Sequence, residues 1–170
     1  MKQKNAKTAT VPSAPGPTTS SALQKRVGFL IRRLLQIHTA MFAEETVGYD
    51  VTPVQFSLLT ALNELGEIDQ NTLSHAIGLE RSSVAEVLPR LEDRGLLSRR
   101  QSQDDRRVKL VKLTRKGRQL LIRIAPAAQR SHDRLIEKLP PAEREQLLDQ
   151  LALLVAANND ECVVPLRLHR

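Results

Sequence analysis

The chain has 170 residues, enough for one domain with its own core, and its 41% apolar and 26% charged residues are typical of a globular protein. The net charge of +7 favours an anionic partner, most simply nucleic acid, whereas an aromatic content of 2% argues against binding single strands by stacking bases on rings. The lone cysteine, Cys162, excludes an intramolecular disulfide and a cysteine zinc cluster and fits a reducing, cytoplasmic compartment. No apolar run approaches the roughly 18 residues that a bilayer span needs, so we expect no membrane association.

Residues 1–21 are rich in Lys, Thr, Ala, Pro and Ser and are predicted to be a disordered N-terminal arm without a secretory signal. A first helix is predicted from Ala22 to about Thr46. Its apolar side chains recur at intervals of three and four from Leu23 to Phe42, and they form a stripe wider than one neighbouring helix needs. This helix is therefore expected to be buried partly against a second subunit.

The second helix is predicted to begin where three start signals coincide. Thr52 can serve as the N-cap, Pro53 fits the first helical position, and Gln55 can close a capping box. After this helix, Asp69 or Asn71 can cap a third one.

The segment from Leu73 to Leu91 has helix–turn–helix spacing. Leu73 and Ile77 lie four apart on one helix face, and Gly78 follows where a helix end needs a residue that tolerates positive φ. Val84, Val87, Leu88 and Leu91 form the inner stripe of the next helix, the expected recognition helix. Its outer side carries Arg81, Ser82, Ser83, Glu86 and Arg90. Proline at position 89 is predicted to kink this helix.

A basic β-hairpin, the wing, is predicted next. Leu97–Gln101 and Val108–Leu113 can pair as strands around a polar tip, with a third short strand at Ile68. The segment from Leu97 to Arg118 contains nine basic residues and two acidic ones, Asp104 and Asp105. Its net charge of +7 equals that of the whole chain. Such concentration suits the neutralisation of phosphates. The basic residues are Arg99, Arg100, Arg106, Arg107, Lys109, Lys112, Arg115, Lys116 and Arg118.

Two helices are predicted after the wing. Thr114 can cap a long helix that runs to about Leu139, and Pro141 can open a last helix that ends at Asn158. Residues 160–170 are predicted to be a tail. Both helices have an apolar face. Within a monomer, little other apolar surface remains against which this face could pack.

Three motifs in order resemble the signature run of the MarR family of winged helix–turn–helix regulators: Leu91-Glu-Asp-Arg-Gly-Leu-Leu97, Asp105-Arg-Arg107 and Leu113-Thr-Arg-Lys-Gly117. The resemblance implies a mainly α fold with a small β-wing. It also implies a homodimer whose first and last two helices interlock across a two-fold axis. Such a dimer would bind a palindromic operator in double-stranded DNA as a transcriptional regulator, most simply a repressor.

We therefore expect three regions in the chain. These are a dimerisation helix with its loop at residues 22–50, a winged helix–turn–helix region at residues 51–113, and the C-terminal dimerisation helices at residues 114–159. The outer residues of the recognition helix are expected to face base edges and phosphates, although Glu86 can instead pair with Arg90 at i+4. The family pattern implies that Asp105 orients a wing-tip arginine toward the minor groove, and either Arg106 or Arg107 fits that role. The expected DNA-binding set is Arg81, Ser82, Ser83, Glu86, Arg90, Asp105, Arg106, Arg107 and Lys109.

The resemblance further implies a small-molecule effector, an aromatic acid or its coenzyme A thioester, bound between the dimer helices and the winged region. Two arginines of the first helix could hold a carboxylate or coenzyme A phosphates at the mouth of that site. In the competing interpretation the same residues are ordinary core and surface. The expected effector-binding set is Arg32, Arg33, His38, Phe42, Gln55, Phe56 and Ser57.

Rival functions have weaker support. The sequence has no G-x-G-x-x-G, P-loop or G-x-S-x-G motif and no clustered histidines, so neither an enzyme nor a bound cofactor is expected. The alternative is a zinc-responsive regulator of the same family, because His38 and His132 could approach each other among the dimer helices, although no metal set is assigned. Cys162 is expected to be an inert thiol.

Overall fold

The computed structural model describes residues 21–167, so the predicted arm lies outside the described residues except for Ser21. The described residues form a mainly α structure with a small β-wing, as predicted. The helices are α1 Val27–Glu45, α2 Pro53–Leu65, α3 Gln70–Ile77, α4 Arg81–Asp93, α5 Arg115–Ile136 and α6 Pro141–Ala157, and the strands are β1 Ile68–Asp69, β2 Leu97–Gln101 and β3 Lys109–Leu113. The chain divides within α1 into two compact units, the first ending at Leu35 and the second beginning at Gln36.

Helix α1 begins later than predicted, at Val27 instead of Ala22. Ser21 and Gln24 bond to each other instead: the Ser21 N–H donates to Gln24 Oε1 and the Gln24 N–H donates to the Ser21 carbonyl, both at 2.9 Å. Such local side-chain bonds offer the backbone an alternative to the helix. The prediction was therefore wrong by about one turn.

The local start and stop signals are confirmed around α2 and α3. Thr52 and Gln55 form the reciprocal capping box, with N–H to side-chain oxygen distances of 3.1 and 3.2 Å. Asp69, not Asn71, caps α3, because its Oδ1 accepts the N–H groups of Asn71 and Thr72 at 2.8 and 3.0 Å. Gly78 then ends α3 in the left-handed region, with φ of 63°.

The wing is a three-stranded antiparallel sheet in the order β1-β3-β2. Ile68 pairs with Val111 and Leu97 pairs with Leu113, so the predicted third strand at Ile68 is confirmed. Val111 and Leu113 are buried, whereas Val108, Leu110 and Lys112 lie on the more exposed side. The inner face of the wing therefore seals the core beneath the helix–turn–helix.

The core is aliphatic and lies between α2, α3, α4, the start of α5 and the wing. Burying each leucine contributes about 1.5–3 kcal/mol. The largest fully buried side chains are Phe42, Leu58, Leu59, Leu62, Leu73, Leu88, Leu91, Leu97 and Ile124. Helix α4 is continuous through Pro89, and the predicted kink there stays a prediction.

The motif at the end of α4 fixes the junction with the wing. The Glu92 carboxylate accepts the backbone N–H of Arg99 at 2.9 Å and its Nε–H at 2.6 Å. The Arg94 guanidinium donates to the Tyr49 carbonyl at 3.0 Å and so ties down the loop before α2. Gly117 is required because any Cβ at this position would overlap the Leu96 carbonyl oxygen. These contacts give the family-like motifs a structural role.

Helix α6 buries none of its side chains in the single chain. Leu148, Leu151, Leu154 and Val155 are each 44–55% exposed. Within residues 21–167, none of the helices has the length and apolar character required to cross a bilayer.

Candidate DNA-binding interface and effector cavity

Helix α4 has one buried, apolar side and one exposed, polar side. Val84, Leu88 and Leu91 are buried against the core, and the predicted outer residues face away from it. Arg81, Ser82, Glu86 and Arg90 are exposed, while Ser83 is half-buried. Helix α4 therefore presents a polar face with the width needed to enter a major groove.

Glu86 pairs with Arg90 on this face, as the sequence allowed. The Arg90 guanidinium donates to Glu86 Oε1 at 3.1 Å, and both side chains are about 70% exposed. Such an exposed pair contributes less than about 1 kcal/mol, so an incoming base or phosphate can compete for the arginine.

A groove of about 290 Å³ connects the recognition helix with the wing. It brings Arg81 of α4 together with Arg107 and Lys109, which the sequence placed in separate elements. Two amide side chains at the start of α3, Gln70 and Asn71, join them and were not predicted; their place directly after a capping aspartate is the signal that could have indicated them. Asp69, the capping aspartate of α3, also lines the groove. Three cations and two amides against this one carboxylate leave a net positive surface suited to a DNA backbone.

In the unbound chain, Asp105 at the wing tip pairs with Arg107 and not with Arg106. Asp105 Oδ1 accepts the backbone N–H of Arg107 at 2.9 Å and its Nε–H at 3.3 Å. The Arg106 side chain is exposed and makes no hydrogen bond or ion pair within residues 21–167. Arg106 is thus the freer of the two.

Two of the counted basic residues are already neutralised. The Arg99 guanidinium pairs with Glu92, and Arg100 pairs with Glu67, with Nε to oxygen distances of 2.6 and 2.9 Å. These side-chain hydrogen bonds hold the pKa of Glu67 and Glu92 below its usual value. The charges of Arg99 and Arg100 are therefore compensated by carboxylates that lie outside the counted segment.

A second cavity, of about 370 Å³, lies between α1, α2, α3, α5 and the chain after α6. Its floor is aromatic: the Phe42 and Phe56 ring centroids are 5.7 Å apart, and His38 meets Phe42 edge-on at 6.2 Å. The lining residues are His38, Phe42, Pro53, Phe56, Ser57, Thr60, Ala61, Glu64, Ala76, Ile77, His132 and Leu166. We call this space the effector cavity.

His38 is the chemically unusual residue of the effector cavity. Its ring stacks on His132 with centroids 5.3 Å apart. Its Nε2 atom is buried and has no hydrogen-bond partner among the described residues. Burial, and then the neighbouring His132, lower the pKa of His38. Since leaving a buried polar atom unpaired is costly, the His38 imidazole lacks a partner that such an atom usually has.

The effector cavity contains four of the seven residues predicted for it: His38, Phe42, Phe56 and Ser57. Gln55 is instead engaged in the capping box of α2. Arg32 and Arg33 are exposed in the first unit, where Arg32 lies over the Phe29 ring at 5.2 Å. The lining belongs wholly to the second unit.

Several lining residues were not predicted. Ser57, Thr60 and Glu64 repeat at helical spacing beside the core stripe of α2, and this polar stripe is the signal that could have indicated Thr60 and Glu64. The predicted approach of His132 to His38 is confirmed by their stacked rings. Leu166 comes from a distant part of the chain and carries no such signal. Across residues 21–167 no group of three His, Cys, Asp or Glu side chains is placed to hold a metal ion.

Comparison with known proteins places this geometry in a family. The MarR family model matches residues 51–109. The transcriptional repressor NicR of Pseudomonas putida is 29% identical, over 91% of this chain and 98% of its own length.

Solved structures give the same result. BpsR of Bordetella bronchiseptica, whose DNA binding is regulated by 6-hydroxynicotinic acid, is 32% identical with a TM-score of 0.74, over 82% of this chain and 97% of that one. The repressor CouR, bound to a 23-mer DNA duplex, is 31% identical with a TM-score of 0.75, over 82% of this chain and 99% of that one. NicR and CouR are named as transcriptional repressors. The chain belongs to the MarR family of DNA-binding transcriptional regulators.

Proposed function

We propose that the protein is a homodimeric repressor that binds a palindromic operator in the cytoplasm and releases it when a small aromatic carboxylic acid enters the effector cavity. The observation that carries the effector part is the buried, unpartnered Nε2 of His38 in a mostly apolar cavity. The DNA-binding part rests on the polar face of α4 and the cationic groove beside it.

Dimerisation is supported by apolar side chains that the single chain leaves uncovered. Leu30, Ile31 and Leu34 of α1 are 47–57% exposed, and α6 exposes a comparable face. Burial of apolar surface contributes roughly 25 cal/mol per Å², so two such helices favour association with a second copy. A two-fold axis would then place two recognition helices about one DNA turn apart.

The size and chemistry of the effector cavity favour a single aromatic ring. Ligand cavities commonly measure about 300–1,000 Å³, and this one is near the lower limit. Phe42 and Phe56 can contact the faces of a ring, and His38 can donate a hydrogen bond to a carboxylate or hydroxyl. The Ser57 hydroxyl donates to the Pro53 carbonyl at 3.0 Å, so its oxygen can accept a hydrogen bond from a ligand hydroxyl. BpsR, which responds to 6-hydroxynicotinic acid, is a relative whose ligand has this chemistry.

Release of DNA would follow from a shift between two dimer conformations. An effector that binds the conformation with wrongly spaced recognition helices more tightly empties the operator by its differential affinity alone. A ligand with equal affinity for both conformations would leave the operator occupied, however tightly it binds.

A thermal-shift screen tests the effector. The probes are 6-hydroxynicotinic acid, hydroxybenzoic acids, their coenzyme A thioesters and Zn²⁺. At 100 times its Kd a ligand adds about 2.7 kcal/mol to the free energy of unfolding. We expect the free acids to stabilise the parent and the His38→Ala variant to lose this effect. Gln129→Ala, on the exposed side of α5, is the matched control.

The screen separates the alternatives. Stabilisation by the thioesters alone would replace the free acid by a coenzyme A conjugate. Stabilisation by Zn²⁺ alone would support the metal-responsive regulator. An unchanged response in His38→Ala would remove His38 from the site.

A further inference from the structure

The chain after α6 returns to the helix–turn–helix. We call residues Val163–Arg167 the C-terminal strap. His75 of α3 binds it twice: its Nδ1 lies 3.0 Å from the Pro165 carbonyl oxygen, and its own carbonyl accepts the Arg167 N–H at 3.1 Å. Because a carbonyl oxygen only accepts, His75 Nδ1 carries the donated hydrogen. The strap is thus bonded to the first helix of the DNA-binding motif.

Asn159 holds the strap in place from the other side. Its Oδ1 accepts the Leu166 N–H at 2.8 Å, and its Nδ2 donates to the Leu166 carbonyl at 3.2 Å. Asn159 satisfies both backbone groups of one residue, which fixes the direction of the Leu166 side chain.

The Leu166 side chain meets two features at once. It is part of the lining of the effector cavity. It also lies against Gly78, the turn between α3 and the recognition helix, where an added Cβ would be 3.1 Å from Leu166 Cδ2. One methyl-bearing side chain therefore separates the effector cavity from the turn that positions α4.

We propose that the C-terminal strap transmits occupancy of the effector cavity to the recognition helix, and that Leu166 limits the size of the ligand. This inference rests on the proposed function. A ring that fills the cavity displaces Leu166, and the displacement reaches α3 through His75 and the turn at Gly78. Leu166 is 39% exposed and Val163 is 83% exposed, so few apolar contacts oppose the movement.

The Asn159→Ala variant tests the coupling, because it frees the strap without substituting any side chain that lines the effector cavity. Asn158→Ala is the matched control, since its amide bonds to the Leu154 carbonyl within its own helix end. Operator Kd is measured with and without 6-hydroxynicotinic acid and 4-hydroxybenzoic acid. For the parent and the control we expect the acid to weaken DNA binding by about 5–150-fold, the usual range of allosteric coupling. For Asn159→Ala we expect this ratio to approach one, while calorimetry still detects binding of the acid to the free protein.

The outcomes are distinct. An equal ratio in Asn159→Ala and the parent overturns the strap as transmitter and leaves the proposed function intact. Loss of acid binding in Asn159→Ala would show that the strap is needed to form the effector cavity, and it would also overturn the strap as transmitter. If neither acid changes operator Kd of the parent, the proposed function fails and the strap proposal fails with it. Circular dichroism of each variant establishes that it is folded.

Leu166→Ala tests the size limit. Removing the side chain enlarges the effector cavity on the side of the strap, so the ratio of affinities for 2-naphthoic acid and benzoic acid should rise at least tenfold. The conservative Leu166→Met variant should keep the ratio of the parent. An unchanged ratio in Leu166→Ala overturns the size limit.

Discussion

Asp105 binds Arg107 at the wing tip through both the backbone N–H and the side-chain Nε–H, at 2.9 and 3.3 Å. Arg107 also lines the groove that it shares with Arg81 and Lys109. We therefore expect Arg107 to contact the DNA backbone beside the recognition helix. Arg106, next to it, is left to extend from the tip.

The first prediction concerns the division of labour between these arginines. Arg106→Ala should cost about 1–3 kcal/mol of operator affinity and should abolish the preference for A·T pairs under the wing, because a narrow minor groove attracts an inserted arginine. Arg107→Ala should weaken binding to all sequences alike and lower the salt dependence by about one unit of slope. Fluorescence anisotropy with operators that differ under the wing measures both. Equal sequence preference in the two variants would refute the assignment.

The second prediction concerns α4. The double variant Arg81→Ala/Arg90→Ala should lose at least about 1–3 kcal/mol of operator affinity if either residue makes a bidentate base contact. Lys138→Ala, an exposed cation that pairs with Glu137, is the control and should bind like the parent. Glu86→Gln should strengthen binding slightly, since it releases Arg90 from its ion pair. Parent-like affinity of the double variant would exclude α4 as the recognition helix.

The third prediction concerns pH. Burial and His132 lower the pKa of His38 from its usual 6.5 in the folded protein. As the pH falls through 6.5, the unfolded chain therefore binds a proton that folded His38 does not, and the free energy of unfolding decreases until the folded pKa is reached. His38→Gln should remove this decrease. Urea unfolding of the parent and of His38→Gln at about pH 7.5 and about pH 5.5 measures this decrease. If the parent and the variant differed in free energy of unfolding by the same amount at both pH values, the prediction would be contradicted.

The fourth prediction concerns Gly117. Gly117→Ala should lower the free energy of unfolding by about 1–3 kcal/mol or more, because the added methyl group overlaps the Leu96 carbonyl and one of the two backbones must shift. Gly28→Ala in α1 is the control: its Cβ meets nothing within 4 Å, so it should be neutral or stabilising by up to about 1 kcal/mol. Chemical unfolding compares them. A Gly117→Ala protein as stable as the parent would show that α5 does not pack this closely.

The fifth prediction concerns association. Leu151→Glu/Leu154→Glu should convert a dimer to monomer, because each carboxylate would be placed on the face that a second copy covers. Gln150→Glu, on the same helix, adds charge without removing an apolar side chain and should leave the dimer intact. Light scattering after size-exclusion chromatography gives the mass. A dimeric double variant would move the interface away from α6.

The features that the sequence predicted well are local. Capping by Thr52 and the end of α3 at Gly78 depend on residues a few positions apart, whose propensities act before any tertiary contact forms. The start of α1 was missed because local hydrogen bonds between Ser21 and Gln24 outweighed a helical apolar pattern.

The effector cavity was only partly predictable for the opposite reason. His38, Phe42, Phe56 and Ser57 lie on two consecutive helices whose facing sides could be inferred. His132 was expected near His38, and the stacked rings confirm it. The C-terminal strap reaches the cavity through long-range packing, which no periodicity in its own segment encodes. Likewise, nothing in the sequence indicated that Arg100 would form an ion pair with Glu67.

Asp69 belongs to two structures at once. Its backbone pairs with Leu110 in the sheet, and its carboxylate caps α3. The wing and the helix–turn–helix are therefore linked through one residue, and we expect them to move together over DNA. The spacing is equally constrained: one residue inserted after Asp69 would force a choice between sheet register and helix cap, at a cost of about 0.5–2 kcal/mol for the cap alone. An insertion at the hairpin tip, by contrast, would leave both contacts of Asp69 in place.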